Sequence, residues 1–100
     1  MINPKEALKI AKNNPYKGTA KQIAKLSISI AQSAQIFDHS VFALYKDKIN
    51  ISPKIFSKLK VIGETLLEVK EQERNLLINQ FPDSYTTIHI LCSISTKDLV

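Results

Sequence analysis

Between Thr19 and Ile49 the apolar positions recur at steps of three and four residues, which is the spacing of one helix face. They are Ile23, Leu26, Ile30, Ala34, Phe37, Val41 and Leu44. The opposite face carries polar residues, including Lys21, Lys25, Ser29 and Gln32. Thr19 and Gln22 have the spacing of a capping box, in which each side chain bonds a free backbone N–H at the helix start. The pattern predicts one long helix over residues 19–49, uninterrupted by glycine or proline.

Shorter helical patterns flank this segment on both sides. Asn3-Pro4 and Ser52-Pro53 each place a capping residue before a proline, which is typical of a helix start. We therefore predict a helix from Pro4 to about Asn13 and another beginning at Pro53, in which Gly63 indicates either a break or a close helix crossing. A separate short helix is expected over residues 71–80, with Leu76, Leu77 and Ile78 turned inward. The expected fold is all-α, a bundle of about five helices around the long helix.

The last predicted helix begins near Pro82, and its inner face holds Tyr85, Ile88, Leu91 and Cys92. Ser95 and Asp98 then repeat the capping spacing with only two residues after them. We therefore expect a single domain over residues 1–100. It is either a fragment of a longer protein or a short version that ends in a frayed turn.

The charge is unevenly distributed along the chain. The formal net charge is +5, but residues 1–60 contain eleven lysines and three acidic residues, whereas residues 61–100 contain three basic and six acidic residues. A concentrated basic region attracts polyanions more strongly than an evenly spread charge of the same sum. No secretory signal and no apolar run of the ~20 residues that span a bilayer is present in the sequence. With one cysteine, these features predict a cytoplasmic protein without a membrane role.

Six lysines form two rows at helical spacing in the basic part of the chain. The first row is Lys5, Lys9 and Lys12, and the second row is Lys17, Lys21 and Lys25. The rows would lie side by side if the first two helices pack antiparallel. They are either a solvated surface or a set of phosphate contacts, whose affinity would fall steeply with salt.

Two apolar residues, Ile28 and Ile36, fall among polar neighbours on the outer face of the long helix. Either another helix packs there or a partner protein binds there. His39 beside Asp38 has no nucleophile or further ligand nearby in the sequence, and Cys92 has no partner for a metal site. No paired carboxylates, Cys–His pair or glycine-rich phosphate loop is present. We therefore expect a non-enzymatic protein without a cofactor or metal.

The segment near the end of the chain carries a motif. It reads Phe81-Pro82-Asp83-Ser84-Tyr85-Thr86-Thr87-Ile88-His89-Ile90-Leu91, followed by Ile94-Ser95 and Leu99, with Ile62-Gly63 upstream. It resembles the motif Leu-Pro-x-Ser-Tyr/Trp-x-Thr-Leu-Tyr-x-Leu of small helical proteins borne by phages and plasmids. That motif is in turn similar to the helix-turn-helix of ParB- and KorB-like partition proteins. Here phenylalanine, isoleucine and histidine replace the leucine, leucine and tyrosine at 81, 88 and 89.

The resemblance implies that the last helix enters the major groove of DNA and reads base edges through outward polar residues. These would be Ser84, Thr86, Thr87 and His89. The charge pattern opposes this assignment, because the predicted helix has no lysine or arginine to position phosphates. The alternative is a core helix whose motif preserves only the fold. If nucleic acid is bound, we expect the basic first half to supply most of the affinity.

These observations predict a non-enzymatic binding protein of a phage or plasmid element that contacts nucleic acid through its lysine-rich N-terminal face. The alternative is a phage-encoded inhibitor, similar to an anti-CRISPR protein, that binds a host defence nucleoprotein by protein–protein contacts. The expected partner is therefore nucleic acid or a host nucleoprotein complex.

Overall fold

The computed structural model describes residues 4–37 and 41–98, and this part of the chain is all-helical, as predicted. It contains six α-helices: α1 (Pro4–Asn13), α2 (Ala20–Phe37), α3 (Val41–Ile49), α4 (Pro53–Glu68), α5 (Glu71–Asn79) and α6 (Tyr85–Asp98). Helix α2 packs against α1, α3, α4 and α5, while α6 packs on α4 and α1 also contacts α3. None of the described helices combines the length and apolar character needed to cross a membrane.

The predicted starts of three helices are confirmed, and each has a local cause. The Ser52 hydroxyl accepts a hydrogen bond from Ile55 N at 3.2 Å, and Pro53 opens α4. At the start of α2, Thr19 N donates to Gln22 Oε1 at 2.9 Å, and Gln22 N donates to Thr19 Oγ1 at 3.3 Å. These side chains satisfy N–H groups that have no partner in the first turn of a helix. Helix α1 spans the predicted range.

The prediction of one unbroken helix over residues 19–49 is wrong. The hydroxyls of Ser29 and Tyr45 lie 2.7 Å apart, and Ser33 Oγ lies 3.2 Å from the same tyrosine oxygen. In a single straight helix, residues 29 and 45 would be separated by about 24 Å along the axis. Helix α3 therefore packs back on α2 instead of continuing it. Residues 38–40, including the predicted exposed His39, lie outside the described residues.

Helix α4 is continuous through Gly63, where it crosses α2 at very close range. A Cβ atom at this position would overlap the Ser27 carbonyl oxygen and would lie 2.9 Å from the Ala31 Cβ. The close crossing expected at Gly63 is therefore confirmed, and the alternative of a break is not observed. Glycine is required here because only the absence of a side chain lets the two backbones approach.

The core combines apolar side chains with buried hydroxyls. Its fully buried members include Ile23, Leu26, Ile30, Leu59, Ile62, Leu66 and Ile88, together with Tyr45. Ser29, placed on the outer face by sequence, is buried because α3 brings its tyrosine to that side of α2. Two other predictions are wrong, because Leu76 and Leu91 were expected to face the core. Leu76 is instead 65% exposed and Leu91 is 41% exposed. Helix α6 also continues through Ser95, so no new helix begins there.

Candidate nucleic-acid interface

A furrow of about 480 Å³ lies between α2 and α5. Its lining residues are Lys21, Ala24, Lys25 and Ile28 from α2, and Glu71, Arg74, Asn75, Ile78 and Asn79 from α5. Buried Ala24 and Ile78 form an apolar floor with half-buried Ile28, and the remaining side chains supply polar walls. A concave surface with an apolar floor and a few polar groups is the usual form of a ligand site.

The two helices run antiparallel along this furrow. Asn79 and Ile78, at the end of α5, share a second small cavity with Thr19, Ala20 and Lys21 at the start of α2. Following α5 back to its first residue therefore leads along α2 toward Ile28. The furrow consequently has Lys21 and Asn79 at one end and Ile28 and Glu71 at the other.

The cations of the furrow differ in what they contact. Arg74 Nε donates to the Leu66 carbonyl oxygen at 2.9 Å, and one of its terminal nitrogens donates to the Val69 carbonyl oxygen at 3.3 Å. This guanidinium therefore holds α5 against the end of α4. Lys21 and Lys25 are exposed, and neither forms an ion pair with any residue in the described part of the chain. Their ammonium groups are available to an external anion.

A shallower depression of about 200 Å³ connects the furrow to α1. It is lined by Ile10 of α1 and by Lys25, Ile28, Ser29 and Gln32 of α2. Ile10 of α1 therefore lies beside Ile28 and Gln32 of α2, and the two helices are in contact. The side-by-side position of the two lysine rows stays a prediction.

Tyr16 connects the second lysine row to the start of α6. Its ring makes an edge-on contact with the Tyr85 ring, with centroids 5.5 Å apart, and Lys17 Nζ lies 5.8 Å from the Tyr16 centroid. Ser84 caps α6, because its hydroxyl accepts from Thr87 N at 3.4 Å. The exposed first turn of α6 is therefore next to the segment that carries Lys17.

The predicted site residues divide by exposure. Those exposed to solvent are Lys5, Lys9, Lys12, Lys17, Lys21, Lys25, Thr86 and Thr87. Ile28, Ser84 and His89 are half-buried, and the side chain of Ile36 lies outside the described residues. Ile28 packs against the core, as the interpretation of a neighbouring helix expects. It also contributes to the furrow floor.

The wall that α5 contributes was not among the predicted site residues. Val69 and Lys70 separate α4 from α5, and Glu71 begins the second of these helices. The signal was present, because Glu71, Asn75 and Asn79 follow one another at steps of four and so share a helix face. That polar face could not be assigned to a cavity without knowing which helix lies opposite.

The two described groups with perturbed pKa values belong to the core and not to the furrow. Burial raises the pKa of Tyr45 although its bonds to Ser29 and Ser33 lower it, and burial raises the pKa of Cys92 although Thr65 lowers it. Among the described residues, no three His, Cys, Asp or Glu side chains are grouped as metal ligands. Comparisons with protein-family models, curated proteins and solved structures find no match.

Proposed function

We propose that this chain is a non-enzymatic nucleic-acid-binding protein of a phage or plasmid element. The observation that carries the proposal is the lysine surface, which we define as Lys5, Lys9, Lys12, Lys17, Lys21 and Lys25. All six are exposed on α1, α2 and the turn between them. Lysines on adjacent helices can present charges to neighbouring phosphates of one backbone, and each contact releases counterions.

The pairing state of these lysines supports the proposal. None of the six forms an ion pair with another residue in the described ranges. Glu6 is the acidic residue of α1, and α2 contains none. Glu71 and Asp83 line cavities together with Lys21, but neither forms an ion pair with it, so the lysines keep their attraction for a polyanion.

The first turn of α6 is the proposed source of polar contacts next to the phosphates. Thr86 and Thr87 are exposed, and the Tyr16–Tyr85 contact places this turn near Lys17. Hydroxyl side chains bond phosphate oxygens and base edges equally well, so they add contacts without a strong sequence preference. In this proposal α6 is a secondary contact, and the lysine surface supplies the charge that the helix-turn-helix assignment lacked.

The test is a salt titration of binding to a fluorescently labelled duplex, measured by anisotropy. We expect the logarithm of the binding constant to fall linearly with the logarithm of salt concentration, with a slope of several units. The double substitution Lys21→Glu and Lys25→Glu should reduce that slope by about two and weaken binding at every sequence tested.

Lys54→Glu with Lys60→Glu is the matched control. Both residues are exposed on α4, and Lys60 faces a different depression, lined by Ala31, Ala34, Gln35 and Glu64. Each double variant replaces two positive charges by two negative ones, so the net charges are equal. The proposal would be refuted if both double variants lost equal affinity for the duplex. It would also be refuted if the unmodified protein showed no measurable duplex binding at low salt.

The second candidate, an inhibitor that binds a host defence nucleoprotein, is favoured by one observation. Ile90 and Leu91 are 52% and 41% exposed beside Thr86 and Thr87 on α6. Exposed apolar side chains are typical of protein contacts. Replacing both by serine should leave duplex binding unchanged if nucleic acid is the ligand. Loss of inhibition in a plasmid-interference assay, without any duplex binding by the unmodified protein, would favour this candidate instead.

A further inference from the structure

The furrow has an ordered sequence of chemical groups along its length. Lys21 supplies a cation at one end, Lys25 supplies a second cation one turn further along α2, Ala24 and Ile78 supply an apolar floor, and Glu71 supplies an exposed carboxylate at the other end. Lys21 and Ile28 are seven residues apart, which is about 10 Å of helix. This length is comparable to one nucleotide measured from its phosphate to the far edge of its base.

This order matches the parts of a nucleotide. A phosphate requires cations, the face of a base requires an apolar surface, and an exocyclic amino group requires an acceptor such as a carboxylate. The carboxamide of Asn75 lies on the same wall as Glu71 and offers both a donor and an acceptor. In a base-paired duplex the bases are stacked, so only an unpaired base can enter the furrow.

We propose that the furrow between α2 and α5 receives one unpaired nucleotide whose base carries an exocyclic amino group. This inference rests on the proposed function, since the lysine surface would hold the flanking backbone. It goes further by predicting that the preferred ligand is a nucleic acid with an unpaired position and not a plain duplex. Lys21 and Lys25 bind the phosphate, and Glu71 with Asn75 binds the base edge.

The carboxylate of Glu71 argues against an acidic peptide as the occupant. A peptide with several carboxylates would place some of them near Glu71, and like charges at close range repel. A nucleotide has its negative charge at one end only, so its phosphate binds the lysines while its neutral base lies near Glu71. The furrow contains no aromatic side chain, so the base would be held by edge contacts and aliphatic packing instead of ring stacking.

The test compares three labelled probes of equal length and otherwise equal sequence: a blunt duplex, the duplex with one bulged dC, and the duplex with one bulged dT. Cytosine presents an amino donor that thymine lacks. We expect the dC probe to bind about tenfold more tightly than the dT probe, which is about 1.4 kcal/mol. The blunt duplex should bind no better than the dT probe.

The variant pair for this test lies within α5. Glu71→Ala with Asn75→Ala alters the furrow, whereas Gln72→Ala with Glu73→Ala changes the same net charge at exposed positions outside it. The first double variant should reduce the dC preference to less than about twofold, and the second should keep it. Circular dichroism confirms that both remain helical.

The outcomes separate the two proposals. If no probe binds at low salt, the proposed function fails. If all three probes bind equally and only the lysine variants weaken them, the proposed function stands and the furrow inference is overturned. If polyglutamate displaces the dC probe as effectively as unlabelled probe does, the furrow takes an acidic peptide and the inference is again overturned.

Discussion

Two neighbouring faces of α2 are packed in different ways. On one face α4 approaches so closely that residue 63 has no room for a Cβ atom. On the next face α5 leaves a furrow of about 480 Å³. Small residues explain the difference, because Ser27, Ala31 and Gly63 bring two backbones together whereas Lys21, Lys25 and Asn75 keep them apart. The same helix thus provides a closely packed surface of the core and part of the floor of the candidate site.

The way α5 is held explains why the furrow stays open. Ile78 is the buried residue of α5, and Arg74 bonds the last carbonyls of α4. These two attachments fix the position of α5 without bringing its polar face against α2. The comparison leads to a general expectation: substitutions on the α4 side of α2 should alter stability, and substitutions on the α5 side should alter binding.

Gly63→Ala should have the largest effect on stability. Helix propensity alone predicts that alanine stabilises an exposed helix interior by about 1 kcal/mol relative to glycine. The overlap with the Ser27 carbonyl oxygen should reverse this sign, and we expect a loss of about 3 kcal/mol. Denaturant unfolding followed by circular dichroism measures the change.

Gly18→Ala is the control for that variant. An added Cβ at residue 18 would meet the end of the flexible Gln22 side chain, which can move away at the cost of its capping bond with Thr19 N. Neither glycine has a positive φ, so neither substitution introduces backbone strain. The Gly18 variant should stay within about 1 kcal/mol of the unmodified protein. Stabilisation by Gly63→Ala would show that the crossing is not as close as described.

Tyr45→Phe should have the next largest effect. Removing the phenol oxygen leaves the buried hydroxyls of Ser29 and Ser33 without this partner, and an unsatisfied buried group costs roughly 1–3 kcal/mol. Tyr16→Phe is the control, because the Tyr16 hydroxyl has no hydrogen bond within the described ranges. Equal unfolding free energies for the two variants would contradict the role of this hydroxyl cluster in holding α3 on α2.

The same tyrosine predicts a loss of stability in alkaline solution. Its pKa is raised in the folded state, mainly by burial, so the folded protein keeps the phenol proton at a pH where the unfolded chain releases it. This contribution is fully present below the unfolded pKa of about 10 and is lost as the pH rises through the higher folded value. The Tyr45→Phe variant should lose less stability than the unmodified protein above about pH 10. If the unfolding free energies of the two proteins fell equally with rising pH, the alkaline loss of stability could not be assigned to Tyr45.

Lys21→Glu with Lys25→Glu should have the smallest effect on stability. Both side chains are exposed and have no ionic partner in the described part of the chain, so the unfolding free energy should change by less than about 0.5 kcal/mol. A loss comparable to that of Gly63→Ala would mean that the furrow side also supports the fold. Binding and stability could then no longer be assigned to different faces of α2.

The features predictable from sequence were local ones. The caps at Thr19 and Ser52 and the range of α1 depend on neighbouring residues and were predicted correctly. The separation of α2 from α3 could not be predicted, because the apolar spacing continues across residues 38–40 without a glycine or proline. The observation that distinguishes the two helices is a contact between residues sixteen positions apart, Ser29 and Tyr45. Periodicity carries no information about such a contact.

The candidate site shows the same limit. Exposure of the six lysines was predictable because five of them lie opposite an apolar helix face and Lys17 lies in the turn between α1 and α2. The furrow was not predictable from the sequence, since it depends on α5 lying antiparallel to the start of α2. The charge pattern therefore predicted one wall of the site, and only the tertiary structure adds the opposite wall with Glu71 and Asn75.

The most direct test of this division is an NMR titration of the isotopically labelled protein with a short duplex that contains one bulged dC. The account predicts amide shift changes at Lys21, Lys25 and Ile28 of α2 and at Glu71 and Asn75 of α5, with no change at Gly63. Changes confined to the exposed face of α4 around Lys60, or none along the furrow at saturating duplex, would contradict it.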